Sequence, residues 1–386
     1  MTTLALRGAH VWDGIADAPC DTTLVFDGEQ VSALGPDAGG DESLDVSGCT
    51  VIPGLIDAHA HLCFNGGSDW RAVYDSDSPG RMLLRMAAAG RSMLEAGITT
   101  ARDLGAPTEL ALELRQAFAE RLAAGPHLLV SGAPITTTGG HCWFMGGEAD
   151  GEVELRKAVR ARVKAGVDCI KIMASGGNMT RRTNTFAPQY SVDELRAVVE
   201  ECGRLRIPLT AHAHGTEGIR AAVEAGVPMI EHCSFSRPGG IDLDELLIAR
   251  MADQGTVVSP TVSIGYLNWP DDGLRQRRAE VLRAMLARGI QFVMSTDCGI
   301  PGVPHNALAG GMKVLSDLGA LTPLDTLRLA TATSAATLGL KDRGVLAPGK
   351  LADAVVVDGD PTQDLGALDR VRYVFKAGAL VFRQPA

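Results

Sequence analysis

VIPGLIDAHAHL, residues 51–62, is the stretch on which the reading of this chain turns. An apolar run with the character of a buried strand finishes in His59 and His61. Side chains alternate along a strand, so these two histidines project to one face, about 7 Å apart along the backbone. Two imidazoles on one face can clamp a single metal ion. An ordinary hydrogen-bonded or exposed pair has the same pattern, and the stretch alone does not choose between the two.

Outward from this stretch the chain alternates. Short runs rich in Val, Ile and Leu recur near 51–56, 98–102, 127–131, 167–173, 207–211, 227–231, 255–259 and 290–295, mostly after Gly or Pro. Between most of them lie segments such as ELALELRQAFAERLAAG, EVELRKAVRARVKAG and SVDELRAVVEECGRL, with apolar residues at helical spacing and several ending in Gly. Eight strands alternating with helices predict an α/β fold, a closed (β/α)8 TIM barrel. A doubly wound open sheet is the alternative, but no G-x-G-x-x-G follows an early strand to support it. Residues 1–50 and the end of the chain (ADAVVVDGD, VRYVFKAGALVFR) are short strand-like runs broken by Asp-Gly and Ala-Gly turns. The two termini are therefore expected to pair into one small β domain.

Composition narrows the function. Of 386 residues 46% are hydrophobic, enough for a large core, while aromatics are only 4%. A net charge of −10 without any Lys/Arg run argues against a nucleic-acid partner. The eight cysteines (20, 49, 63, 142, 169, 202, 233, 298) form no CxxC pair and read as reduced core residues, Cys233 and Cys298 among them, which favours the cytoplasm. The N-terminus has no exported-protein leader pattern and no 18-residue apolar run occurs, so no membrane association is expected. The oligomeric state stays open, a homo-oligomer included.

Other candidate ligands fall at equivalent places. His212 ends the fifth run (IPLTAHAHG), His232 the sixth (VPMIEHC) and Asp297 the eighth (IQFVMSTDCG), while Lys171 lies within the fourth (VDCIKIMASGG). Barrel enzymes build their sites at the C-terminal ends of the strands, so five such strand ends point to one centre. A lysine inside an apolar strand is costly to bury as a cation. Reaction with CO2 would convert Lys171 to a carbamate whose two oxygens can bridge two metal ions. An uncarboxylated lysine beside one metal is the other reading.

PGLIDAHAHL, IKIMASGG, TAHAHG, IEHCSF and STDCG, in this order and at these strand positions, resemble the metal-dependent amidohydrolase superfamily, and more closely its imidazolonepropionase-like and Xaa-Pro dipeptidase-like branch. The segment GVLAPGKLADAVVVDGDP is similar to the family's return from its barrel to a small β-sandwich. The resemblance implies a β-sandwich from residues 1–52 with 343–386, and a catalytic barrel over 53–342. It implies that His59, His61 and Asp297 bind one metal and His212 and His232 a second, with carboxylated Lys171 and a hydroxide bridging them. Zinc suits these ligands, and Mn, Fe or Co would fit them too. Such a hydroxide would attack an amide carbonyl, with Asp297 moving the proton to the leaving nitrogen.

Substrate contacts are expected from His141 in TTTGGHCWFMGG, from His214 two residues beyond His212, and from Arg181 and Arg182, whose guanidiniums would hold a carboxylate. His214 serves equally as a group behind the ligands, His141 and the arginines equally as solvated loop residues. Trp143, Phe144, Tyr266 and Trp269 in two loops suggest a wall for an apolar or peptide-like substrate. The expectation is hydrolysis of an amide in a dipeptide, N-acyl amino acid or modified peptide. Alternatives are a tailoring hydrolase of a ribosomal peptide, as in bottromycin-type follower removal, a cyclic-amide hydrolase or deaminase, and a non-catalytic metal-binding scaffold. Asp297 beside the metal speaks against the last.

Overall fold

The computed structural model describes residues 2–269 and 271–385. Met1 and Ala386, at the ends of the two terminal segments, and Pro270 in the 263–273 loop lie outside the described residues. The fold is mixed α/β, as expected.

The histidine-bearing strand, Leu55–Ala60, pairs in parallel with Ile98–Asp103, which pairs in parallel with His127–Val130. A second parallel series runs Ile170–Met173, Leu209–Gly215, Met229–Arg237, Val257–Ser259. The two series are stitched where Asp168 N–H donates to the Val130 carbonyl and Ile135 bridges Ile172. On the far side, Phe292 bridges Val258 and Cys298 bridges Ala60, so the hydrogen bonding returns to the strand it started from.

The eighth run departs from a regular strand. Residues 291–298 make only these single bridges, and Asp297 takes a left-handed φ of 60°. The reason is a side chain: the buried Asp57 carboxylate accepts the Thr296 N–H and hydroxyl and the His59 N–H. A carboxylate thus replaces part of the ladder beneath His59 and Asp297.

The helical segments form where their patterns place them. Val192–Leu205 starts at a capping box in which Ser191 and Glu194 satisfy each other's backbone N–H, and it buries Leu195, Val198 and Cys202. Gly151–Ala165 ends at Gly166, whose φ of 93° suits glycine. No described helix is long and apolar enough to cross a membrane.

The termini do pair. Ala354–Asp358 lies antiparallel to Cys49–Pro53 within a six-stranded sheet, and a separate four-stranded sheet is built from Thr3–Arg7, Thr23–Asp27, Gln30–Gly35 and Glu42–Asp45. Leu6, Leu24, Phe26, Val51, Val356 and Phe375 form a core of their own. Gly54 alone separates Cys49–Pro53 from Leu55, and a Cβ there would lie 2.0 Å from Thr99 Oγ1. All eight cysteines are free and seven are buried. Cys20 corrects the expectation of a core position: it sits on the two-residue outer strand Cys20–Asp21, where both residues are exposed.

Candidate active site

His59, His61 and Asp297 converge. Asp297 Oδ1 lies 3.3 Å from His59 Nε2 and 3.2 Å from His61 Nε2, and the two Nε2 atoms are 3.2 Å apart. The opposite ring nitrogens decide what this means. His61 Nδ1 meets the Gly105 carbonyl at 3.1 Å, and His59 Nδ1 meets Glu231 Oε2 at 2.8 Å. Carbonyls and carboxylates only accept, so each ring carries its proton on Nδ1. In the neutral rings, two nitrogen lone pairs and a carboxylate oxygen therefore point at one another with no donor between them. A cation is the group that resolves this arrangement.

A second group adjoins the first. Side-chain ligand atoms of His212, His214 and His232 all lie within 4.8 Å of one another. The His232 ring centroid is 5.1 Å from that of His59, and His232 Nδ1 is 3.9 Å from Asp297 Oδ2. His212 Nε2 donates to the Gly176 carbonyl at 3.0 Å, which leaves its Nδ1 as the acceptor. Burial pushes His59 and His214 down to about 4 and His212 and His232 well below the ordinary imidazole range, favouring neutral rings. His214 stacks on His232 at 4.3 Å, as close as a ligand would be, so the structure gathers three imidazoles where the resemblance implied two.

Lys171, 1% exposed on the strand Ile170–Met173, has no hydrogen-bond partner for Nζ. Burial lowers its pKa, against the pull of the Glu231 and Asp297 charges. A deprotonated amine without a partner is the form that takes up CO2. Asp297 is held ionised: burial opposes this, and the His59 and His61 rings outweigh it.

The strand ends are bent to aim these groups. His232, Cys233 and Phe235 all have left-handed φ, between 46° and 66°. The fully buried Arg278 guanidinium fixes the turn by donating to the carbonyls of His232, Cys233 and Pro260. Cys233 packs without exposure, its thiol pushed up to about 12 by burial, and Cys298 is likewise buried. The sequence reading missed Glu231, Arg102, Asp57, Gly105 and Arg278.

The expected substrate residues part company. The His141 ring lies 4.6 Å from that of His212, tilted by 35°, and is anchored by Thr180 Oγ1 and Gln189. Arg181 and Arg182 are exposed in the following loop. The four loop aromatics separate into two groups: Tyr266 stacks on Trp269 at 4.4 Å, while Trp143 and Phe144 join Phe64, Trp70 and Tyr74. Phe64 reaches 5.5 Å from the His61 ring, and the Arg71 guanidinium lies 4.1 Å from the Phe144 ring. A cavity of about 740 Å³ lined by Phe118, His127, Arg343 and Lys376 shares no residue with this centre.

The description of the amidohydrolase family matches residues 50–381, which include every one of these ligand candidates. The chain belongs to the amidohydrolase family. Ochratoxinase of Aspergillus niger is 29% identical over 381 residues, spanning 87% of this chain and 76% of that protein. Imidazolonepropionase of Symbiobacterium thermophilum is 28% identical over 397 residues, spanning 91% and 85%. A solved Xaa-Pro dipeptidase with methionine bound in its active site is similar with a TM-score of 0.86 at 26% identity, covering 99% of this chain and all of that one. The branch expected from the sequence is therefore the right one, and this amidohydrolase is a hydrolase of carbon–nitrogen amide bonds.

Proposed function

We propose that this amidohydrolase hydrolyses an amide bond in a dipeptide, N-acyl amino acid or modified peptide, using two divalent cations held at the strand ends. The observation that carries the metal half of this reading is the convergence of two imidazole lone pairs and the Asp297 carboxylate, which have no proton donor among them when both rings are neutral. His59, His61 and Asp297 would hold one ion, His212 and His232 the other, and carboxylated Lys171 would bridge the pair. Zinc fits this nitrogen and oxygen set, with Mn, Fe or Co as alternatives. Such ions, when bound, acidify a water toward neutrality and polarise the amide carbonyl.

The chain's own residues do the rest. Asp297 faces His59 and His61 through Oδ1 and His232 through Oδ2, and in this reading its second oxygen would take the proton of the attacking water and pass it to the leaving nitrogen. His141 and His214 flank His212 and would contact the substrate. The Trp143–Phe144 cluster and the Tyr266–Trp269 pair supply apolar walls, and Arg181 and Arg182 would receive a carboxylate. The architecture behind this reading is a (β/α)8 barrel over 53–342 with a β-sandwich from 1–52 and 343–386, supported by the closed circuit of strand pairing. The partner is a small-molecule or peptide substrate, and reduced cysteines fit a cytoplasmic setting.

The Xaa-Pro dipeptidase likeness supports a peptide-like substrate; the imidazolonepropionase likeness supports a cyclic amide as second reading. Zinc-loaded protein screened against dipeptides, N-acyl amino acids and cyclic amides tests both. Cleavage of an open-chain amide is expected. Cleavage of cyclic amides alone would transfer the proposal to the second reading, and inactivity toward all three at full metal occupancy would overturn it.

A further inference from the structure

We infer that Glu231 is a positioning residue that sets the tautomer and aim of His59, and that Arg102 and Thr210 hold it for that task. Glu231 is fully buried, one residue before His232 on the strand Met229–Arg237. Its Oε2 accepts the His59 Nδ1–H at 2.8 Å. Its Oε1 accepts from Arg102 Nη2 at 2.9 Å and from the Thr210 hydroxyl at 2.6 Å. Both oxygens are thereby committed, and the carboxylate has no freedom to rotate away.

Arg102 closes the device. Its Nε donates to the Ala58 carbonyl at 2.8 Å, directly before His59 on the neighbouring parallel strand. One guanidinium thus grips the backbone that carries His59 and the carboxylate that grips its ring. The Arg102 guanidinium, 2.9 Å from Oε1, pairs with the Glu231 carboxylate whose other oxygen accepts from the His59 ring. An ionised acceptor on Nδ1 leaves Nε2 as the ring's only lone pair, aimed at His61 and Asp297. A carboxylate behind an imidazole also raises its basicity as a ligand.

The placement has a second consequence. Glu231 and His232 are neighbours on one strand but belong to different ligand groups, so a shift of that strand moves the support of the first group and a member of the second together. The proposal rests on the metal reading only for what Nε2 faces; the tautomer is a property of the metal-free chain.

The test uses the full metal-free chain. Nitrogen NMR of the His59 ring reports its tautomer, and chelator competition reports zinc affinity, for wild type, for Glu231→Gln, and for the pair Arg102→Met with Glu231→Leu. The double variant removes both buried charges together, which folded proteins tolerate better than one orphaned partner. Wild type is expected to show only the Nδ1–H form, and both variants a mixture, with zinc binding weakened about 10–100-fold. A His59 ring that stays wholly in the Nδ1–H form in the variants overturns the proposal. Failure of wild type to bind zinc would sink the metal reading while the tautomer result still decides this one.

Discussion

The Asp297 carboxylate lies within 3.3 Å of the Nε2 atoms of both His59 and His61, and its charge favours protonation of the His61 ring as the pH falls. Burial lowers the proton affinity of His61, and the hydrogen bond and charge of Asp297 outweigh it, raising the pKa above the ordinary imidazole value. A cation taking this place must displace that proton. Zinc uptake near pH 6 is therefore expected to release protons, seen as a heat of binding that changes with the ionisation enthalpy of the buffer. Heats independent of buffer would refute it.

In the proposed reading, Asp297→Asn keeps a ligand oxygen and removes the proton carrier. Turnover should fall by about 10²–10⁴-fold with zinc content unchanged, measured by elemental analysis beside the rate. Activity within a few fold of wild type would remove Asp297 from the proton-transfer role.

Lys171 Nζ has no hydrogen-bond partner, and the proposed bridge requires that it react with CO2. Zinc-loaded protein incubated with isotope-labelled bicarbonate should show a carbamate carbon resonance that Lys171→Ala lacks. Identical spectra for the two proteins would leave the buried amine unmodified.

Acid should destabilise the metal-free fold. His59, His127 and His214 are pushed down to about 4 and His141 to about 3 by burial, from 6.5 in the unfolded chain. Between those values the unfolded state binds more protons, so stability is full above about 6.5 and falls as the pH drops toward 4. Asp57, pushed up to about 7 by burial, works in the opposite direction. The raised His61, Asp103 and Asp353 act as Asp57 does, but the lowered imidazoles, His212, His232 and His305 included, outnumber these groups, and the urea midpoint is expected to decline from pH 7 to about 4.5; a flat or rising midpoint would contradict the sign.

Arg278→Met would leave the His232, Cys233 and Pro260 carbonyls without their donor. The expected cost is about 3 kcal/mol or more, read from chemical denaturation, with weaker zinc binding because His232 loses its left-handed setting. A variant as stable as wild type would show that the turn holds itself.

The ligand candidates were legible because period and phase suffice for them. His59, His61, His212, His232 and Asp297 end apolar runs, and Lys171 interrupts one. What supports them was not, because a partner across the strand circuit leaves no trace in local periodicity. Glu231 and Arg102 carry the same signal as Lys171, a charge inside an apolar run, and applying that argument evenly would have found both. Arg278 was hidden among four arginines of one helix, yet it shares a face with the buried Leu282 and Met285. The eighth run failed as a strand because the Asp57 side chain substitutes for strand pairing, a choice that hydrophobicity does not encode.

The single glycine between Cys49–Pro53 and Leu55–Ala60 makes the end of the chain a foundation for chemistry it never touches. Residues 354–358 pair with the incoming segment, and the close approach of Thr99 leaves room for no side chain at Gly54, the one residue between that pairing and the strand of the first two imidazoles. Trimming the tail would slacken the aim of His59 and His61 before it unsettled the strand circuit itself.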